Sequence, residues 1–174
     1  RAMVYYALGD TKATMLDIDK AIKLKPEFAE AYNNRGTVYY GLGDMKSALL
    51  DFDKAILYNP NLSSAFYNRG LIRSKMGNLK GAMEDINMEI QLSPNNAEAY
   101  NYRGYIKYLQ KNYELSIKDY ELSLYLNPEY SVAFYNRGQS RFMLKDTIGA
   151  CEDWKKSAEL GYGVASEMVR KYCN

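Results

Sequence analysis

The chain has 174 residues, of which 47% are hydrophobic and 25% charged, a balance typical of folded rather than disordered proteins. Its 23 basic and 21 acidic residues are mixed along the sequence and leave a net charge of +2, so we expect no nucleic-acid-binding surface. No apolar run reaches the roughly 18 residues that a membrane-spanning helix needs, so we expect no membrane span.

In chain order, residues 1–28 look like the end of one helix followed by a complete second helix. They are typical of the middle of a repeat and not of a signal peptide, so we expect the chain to be a piece of a longer protein. Two amphipathic helices are predicted next, over residues 29–42 and 45–58. Gly43-Asp44 interrupts the pattern between them, and Asn59-Pro60 ends the second helix. The short connection predicts an antiparallel pair.

This helix pair then recurs with a step of 34 residues. The segment Ala-Tyr-Asn-Asn-Arg-Gly at 31–36 returns in related form at 65–70, 99–104 and 133–138, and the four prolines keep the same step. We therefore divide the chain into a truncated repeat (1–28), four full repeats (29–62, 63–96, 97–130 and 131–162) and a capping helix (163–174). A fixed period of this size predicts stacked helix pairs rather than one globular core.

The repeated positions resemble the tetratricopeptide repeat over essentially the whole chain. Each repeat has an aromatic residue, a glycine four positions later, a small residue and then an apolar one in the second helix, and the proline. Lys111 and Lys145 depart from the pattern where other repeats have a glycine, and Glu89 replaces a small residue. The resemblance implies an all-α fold, an α-solenoid of antiparallel helix pairs (a TPR superhelix) with a C-terminal capping helix.

Arginine and aspartate also recur in register. Each arginine precedes an aspartate by 16 residues and follows the previous aspartate by 18, which places the two types level across the hairpins. An anion-binding ladder is one interpretation, but we favour a structural ladder of ion pairs, because each arginine has a local partner. Besides Arg1 and Asp17, its members are Arg35, Asp51, Arg69, Asp85, Arg103, Asp119, Arg137 and Asp153.

Asparagines lie beside these arginines, on the part of the first helix that faces the concave groove in tetratricopeptide proteins. A primary amide both donates and accepts, so it can bind a peptide backbone without reading side chains. The arrangement resembles the asparagine ladder of O-linked GlcNAc transferases, although Tyr102 interrupts it. Solvated polar residues on a helix face are the alternative. The predicted peptide-binding asparagines are Asn33, Asn34, Asn68, Asn101 and Asn136.

Aromatic residues on the same side are predicted to line or rim this groove, because tyrosine combines apolar area with a hydrogen-bonding group. The alternative for each is that it fills a gap between helices. These residues are Tyr40, Tyr67, Tyr102, Tyr105, Tyr108, Tyr135 and Phe142.

The carboxylate clamp that holds chaperone C-termini can be tested by position. It needs Lys and Asn, then Asn, then Lys and Arg on three successive first helices, and this chain lacks the basic residues at those positions. We therefore exclude chaperone-tail binding. The positions hold Asn33, Thr37, Asn68, Glu98 and Tyr102 or, one repeat later, Tyr67, Leu71, Tyr102, Val132 and Asn136.

The chain has no histidine, no glycine-rich phosphate loop and no nucleophile motif, so we expect neither an enzyme nor a bound cofactor or metal. The main hypothesis is a scaffold that binds a peptide segment of a protein partner. The alternative is a structural, self-assembling element, with a homodimer formed through an open N-terminal apolar face of Ile18, Ala21 and Ile22.

Cys151 and Cys173 are the two cysteines. They could be buried thiols, but the last two helices fold back around Gly161–Gly163, which places the cysteines level and predicts a disulfide. The segment from Asp153 to Cys173 also resembles the end of bacterial envelope-associated tetratricopeptide proteins. A disulfide persists in oxidising compartments, so we expect a periplasmic or secreted protein, with the cytoplasm as the alternative.

Overall fold

The computed structural model describes residues 11–173, and all its regular secondary structure in that range is helical. The predicted end of a helix within residues 1–10 and the predicted pairing of Arg1 lie outside the described residues. The described residues divide into two compact units, with the boundary between residues 93 and 94.

The first unit contains α1 (Thr11–Leu24), α2 (Ala29–Gly41), α3 (Met45–Tyr58), α4 (Ser63–Lys75) and α5 (Leu79–Leu92). Each helix packs on the next one in the chain, and α2 also touches α4. Phe52, Ala48 and Ile72 form the buried centre of α2–α4, while Ile18, Ala31 and Val38 join α1 to α2. The core is thus a series of small apolar layers between neighbouring helices.

The second unit contains α6 (Ala97–Leu109), α7 (Tyr113–Leu126), α8 (Ser131–Met143), α9 (Thr147–Glu159) and α10 (Gly163–Tyr172). Its packing is again sequential, with an added contact between α6 and α8. Tyr120 and Trp154 are the large buried rings, and Ala165 anchors α10 with no exposed surface.

The turn inside each helix pair explains why the pairs form. Gly43 adopts φ 81°, and the backbone N–H of Asp44 donates to the carbonyl of Tyr39, which closes the first helix with a left-handed cap. Asp44 then caps α3 by accepting a hydrogen bond from the Ser47 backbone at 3.0 Å. A connection this short makes α2 and α3 antiparallel.

The repeated glycine in the first helix of each pair permits a close approach. A Cβ built at Gly138 would lie 2.6 Å from Nε1 of Trp154, and one built at Gly36 would lie 2.8 Å from the Phe52 ring. The buried ring of the second helix therefore rests directly on the backbone of the first, and this contact sets the spacing of the two helices.

The prediction of an open apolar face at the N-terminal end is wrong for Ile18, the central residue of that face. Ile18 is 3% exposed and packs against Ala31 and Val38 of α2, with Ala21 and Ile22 packed around this cluster. The face that we expected to be open is therefore the one that joins α1 to α2.

Lys111 and Lys145 keep the left-handed conformation of the glycines that they replace, with φ 63° and 66°. Lys145 makes the same cap, since the Asp146 N–H donates to the carbonyl of Arg141. A residue with a Cβ costs roughly 1–2 kcal/mol in this conformation.

We expect Lys145→Gly to raise the free energy of unfolding by about 1 kcal/mol, because it removes this backbone strain but makes the unfolded chain more flexible. The matched variant is Gly43→Lys, where nothing lies within 4 Å of an added Cβ, so its loss of stability would come from the backbone alone. Denaturant unfolding measures both. A destabilised Lys145→Gly would contradict the prediction.

Candidate peptide-binding surface

The arginines of the first unit bind buried aspartates across their own helix pair. Arg35 donates from Nε and Nη2 to the two carboxylate oxygens of Asp51 at 2.7 and 2.9 Å, and the Asp51 side chain is 5% exposed. Hydrogen bonds to Asp51 raise the pKa of Arg35 above its usual value, so the guanidinium stays charged. Arg69 makes the same bidentate contact with Asp85.

The second link of the predicted ladder uses other residues than expected. Arg69 Nη1 binds Asp53 at 2.7 Å, not Asp51, and Arg35 binds Asp19 in the equivalent way. Asp51 and Asp53 lie two positions apart on α3, so their side chains point in different directions. Asp51 is held by its own repeat, and Asp53, which is 54% exposed, reaches the next arginine.

In the second unit Arg103 binds Asp119 and Arg137 binds Asp153, each through two hydrogen bonds. A second cation four residues later on the same helix shares the carboxylate. Lys107 lies 2.7 Å from Asp119 and Arg141 lies 2.9 Å from Asp153. Each buried carboxylate therefore binds and holds two cations, an arrangement that favours the structural interpretation over anion binding.

The asparagines form one hydrogen-bonded pair in each unit. Asn68 Nδ2 donates to Asn33 Oδ1 at 3.0 Å, and Asn136 Nδ2 donates to Asn101 Oδ1 at 3.0 Å. Asn101 is 6% exposed and also hydrogen-bonds Tyr130, so it orients Asn136 and presents little surface of its own. Asn34 lies next to the first pair, partly exposed and outside this hydrogen bond.

The predicted aromatic residues divide into two groups. Solvent reaches part of each ring in the first group, which contains Tyr67, Tyr102, Tyr105, Tyr108 and Tyr135. The rings of Tyr102 and Tyr105 contact each other, with their centres 5.8 Å apart. The Tyr135 ring contacts the Tyr162 ring in a tilted arrangement, with the ring centres 5.2 Å apart.

The other two aromatic residues pack against buried clusters. Tyr40 lies against the Phe52 cluster, with the Lys75 ammonium 4.8 Å from its ring centre. Phe142, predicted to line the groove, stacks on Tyr172 at 4.7 Å and on Trp154 at 5.5 Å, so it anchors the C-terminal helix.

The same C-terminal helix is joined covalently to α9. Cys151 and Cys173 form a disulfide with their Cα atoms 5.5 Å apart and 22 residues between them in sequence. Together with Ala165 and Tyr172, this bond fixes α10 on α9.

Sequence reasoning missed four residues of this surface. Arg73, Lys107 and Arg141 recur at the 34-residue step, a signal that was present but unused. Gln139, which donates to the Tyr135 hydroxyl at 3.2 Å, has no counterpart in the other repeats and no such signal.

Within residues 11–173 no group of three or more His, Cys, Asp or Glu side chains is placed to hold a metal ion. Among the helices described, none is both long enough and apolar enough to cross a membrane.

Three segments of the chain match family models described as tetratricopeptide repeat or TPR repeat, at residues 2–43, 29–62 and 97–130. These segments include more than half of the sequence. A search of curated protein sequences found no significant match.

Solved structures share the architecture. MamA from Desulfovibrio magneticus RS-1 superposes with a TM-score of 0.81, covering 91% of this chain and 90% of that chain at 22% identity. YrrB, a TPR protein with an unusual peptide-binding site, gives 0.77 over 98% and 88% at 22% identity. PilF from Pseudomonas aeruginosa gives 0.85 over 92% and 73% at 18% identity. At these identities the similarity establishes the fold alone.

Repeated antiparallel helix pairs with short turns define a helical repeat protein of the α-solenoid class. The chain belongs to the tetratricopeptide repeat family.

We expect Asp85→Asn to lower the free energy of unfolding by about 3 kcal/mol, because it leaves Arg69 and Arg73 facing a neutral group at a site 2% exposed. The matched control is Asp53→Asn, which removes an exposed carboxylate from the same Arg69 and should cost less than about 1 kcal/mol. Denaturant unfolding compares the two, and equal losses would contradict the burial argument.

We also expect reduction of the Cys151–Cys173 bond to lower stability by about 3 kcal/mol, since the bond closes a loop of 22 residues in the unfolded chain. Unfolding with and without reductant measures the difference. A Cys151→Ala/Cys173→Ala variant should have the same free energy of unfolding as the reduced protein, with or without reductant. If this variant were as stable as the oxidised protein, the prediction would be contradicted.

Proposed function

We propose that the chain is a protein-interaction scaffold whose asparagine pairs bind the backbone of a partner peptide. The tetratricopeptide fold itself supports the broader role of a protein-interaction scaffold. The observation that carries the finer proposal is the Asn33–Asn68 hydrogen bond, repeated with the same geometry as Asn101–Asn136 in the other unit.

The pairing decides which amide atoms remain for a ligand. Asn68 uses one N–H and Asn33 uses its carbonyl oxygen in their mutual bond. The side-chain NH2 of Asn33 remains as a donor, and the side-chain carbonyl oxygen of Asn68 remains as an acceptor next to it. An extended peptide presents N–H and C=O groups in the same combination, so such a pair can hold its backbone whatever its side chains.

A binding role agrees with the charges of this surface better than a catalytic one. The arginines and lysines beside the asparagines are paired with buried carboxylates, so they support the helices and do not activate a substrate. YrrB, with a similar fold, is a TPR protein with a peptide-binding site, which supports the same kind of role for this chain.

The binding test is a peptide array probed with the wild-type chain and with Asn68→Ala/Asn136→Ala. Peptides that bind the surface should bind the double variant at least about tenfold more weakly than the wild-type chain, because two hydrogen bonds to the peptide backbone are removed from a partly desolvated site. Asn61→Ala, in an exposed turn, is the matched control and should bind normally. Peptides that bind all three proteins equally would contradict the asparagine mechanism.

We further propose a periplasmic or secreted location, supported by the disulfide. The similarity in fold to PilW, a type IV pilus biogenesis factor, agrees with this proposed location. Protein alkylated in its native compartment should show no modified cysteine by intact mass, and two modified thiols would contradict this location.

Self-association is the alternative role. Leu16 is 71% exposed and Leu42 is 62% exposed, and with Met15 they line an apolar recess of about 580 Å³ on the first unit. A mass that rises with concentration in analytical sedimentation would favour this role.

A further inference from the structure

A pocket of about 220 Å³ lies between α6, α7 and α8, within the second unit. Its floor is the buried ring of Tyr120, and Tyr105, 37% exposed, stands at its rim. We call it the tyrosine pocket, and its lining residues are Tyr105, Tyr108, Tyr120, Tyr135, Asn136 and Gln139. The volume is below the roughly 300–1,000 Å³ of small-molecule sites, so it suits a single side chain.

Two amide side chains supply hydrogen-bond acceptors in the tyrosine pocket. Asn136 spends an N–H on Asn101, and Gln139 spends an N–H on the Tyr135 hydroxyl. These bonds orient both amides, and each amide keeps its carbonyl oxygen for a ligand. A ligand that offers several N–H donors would satisfy these oxygens.

The uncharged aromatic lining of the tyrosine pocket can bind a cation. No charged side chain lines it, and the cations on the same helices are held by carboxylates: Lys107 by Asp119, and Arg141 by Asp153. Burial, neighbouring phenols and the carboxylate of Glu167 raise the pKa of Tyr135, which keeps this phenol neutral. The faces of neutral tyrosine rings attract cations.

We propose that the tyrosine pocket binds the guanidinium side chain of an arginine in the partner. This inference rests on the proposed peptide-binding function and names the side chain that anchors the peptide in the second unit. Arginine fits better than lysine because its planar guanidinium stacks on aromatic rings while it donates to several acceptors at once. A phenylalanine or leucine would cover the rings but would leave the two amide oxygens without donors.

The experiment is an NMR titration of the full chain with the blocked pentapeptide Gly-Ser-Arg-Ser-Gly and analogues with citrulline, lysine or phenylalanine at its centre. Citrulline has nearly the shape of arginine without its charge. The arginine peptide should bind at least threefold more tightly than each analogue, and the side-chain amide signals of Asn136 and Gln139 should shift.

Matched variants locate the binding. Tyr135→Leu keeps apolar bulk but removes a ring face, and it should weaken the arginine peptide at least threefold. Tyr135→Phe restores the ring and should recover the affinity to within about twofold. Tyr125→Leu, at a tyrosine that is 83% exposed and outside the pocket, is the control and should have no effect.

Equal affinity for arginine and citrulline, tighter binding of phenylalanine, or unchanged binding by a folded Tyr135→Leu would overturn the inference. These outcomes are distinct from failure of the proposed function. Array peptides that still depend on Asn68 and Asn136 without needing arginine would leave that function intact and remove only the arginine pocket.

Discussion

The buried aspartate of each repeat is the constraint on which the other features depend. Asp51, Asp85, Asp119 and Asp153 have side chains that are 2–5% exposed, and an ionised carboxylate at such a depth costs several kcal/mol unless it is paired. The bidentate arginine supplies that pairing only when the two helices of a repeat are held level. The guanidinium also covers an aromatic ring three residues earlier, at 5.4–5.6 Å, so charge pairing and apolar packing require the same helix position.

That position determines what the rest of the first helix presents. Because each arginine faces its partner helix, the residue before it is turned by about 100° to another side. Asn68 and Asn136 occupy this place, and in each unit the amide reaches the asparagine of the preceding first helix. The glycine after the arginine lets the buried ring approach the backbone, which fixes the spacing between the helices of the pair. The candidate surface is therefore held by contacts on the opposite side of the same helices.

Periodicity predicted the helices well, because hydrophobic spacing and turn residues are local signals. The helix predicted at 45–58 has these bounds, and its neighbour ends at Gly41 instead of Leu42. Contacts between repeats were harder to predict from the sequence. The choice of Asp53 over Asp51 for Arg69 depends on how far one helix pair is rotated against the next, which residue spacing alone does not determine. The ring contacts of Phe142 were missed for a related reason, since its partners Trp154 and Tyr172 lie on two later helices. The tyrosine pocket depends on Gln139, which no repeated pattern marks.

The pairing of charges within each repeat has an evolutionary consequence. Arg35 and Asp51 belong to the same stretch of 34 residues, so a duplication or deletion of one whole repeat carries both members and leaves no buried charge without its partner. The links that such an event would break, such as Asp53 with Arg69, involve carboxylates that are half exposed and cost little to lose. Arrays built on this plan can therefore change length in single steps without first passing through a poorly folded form.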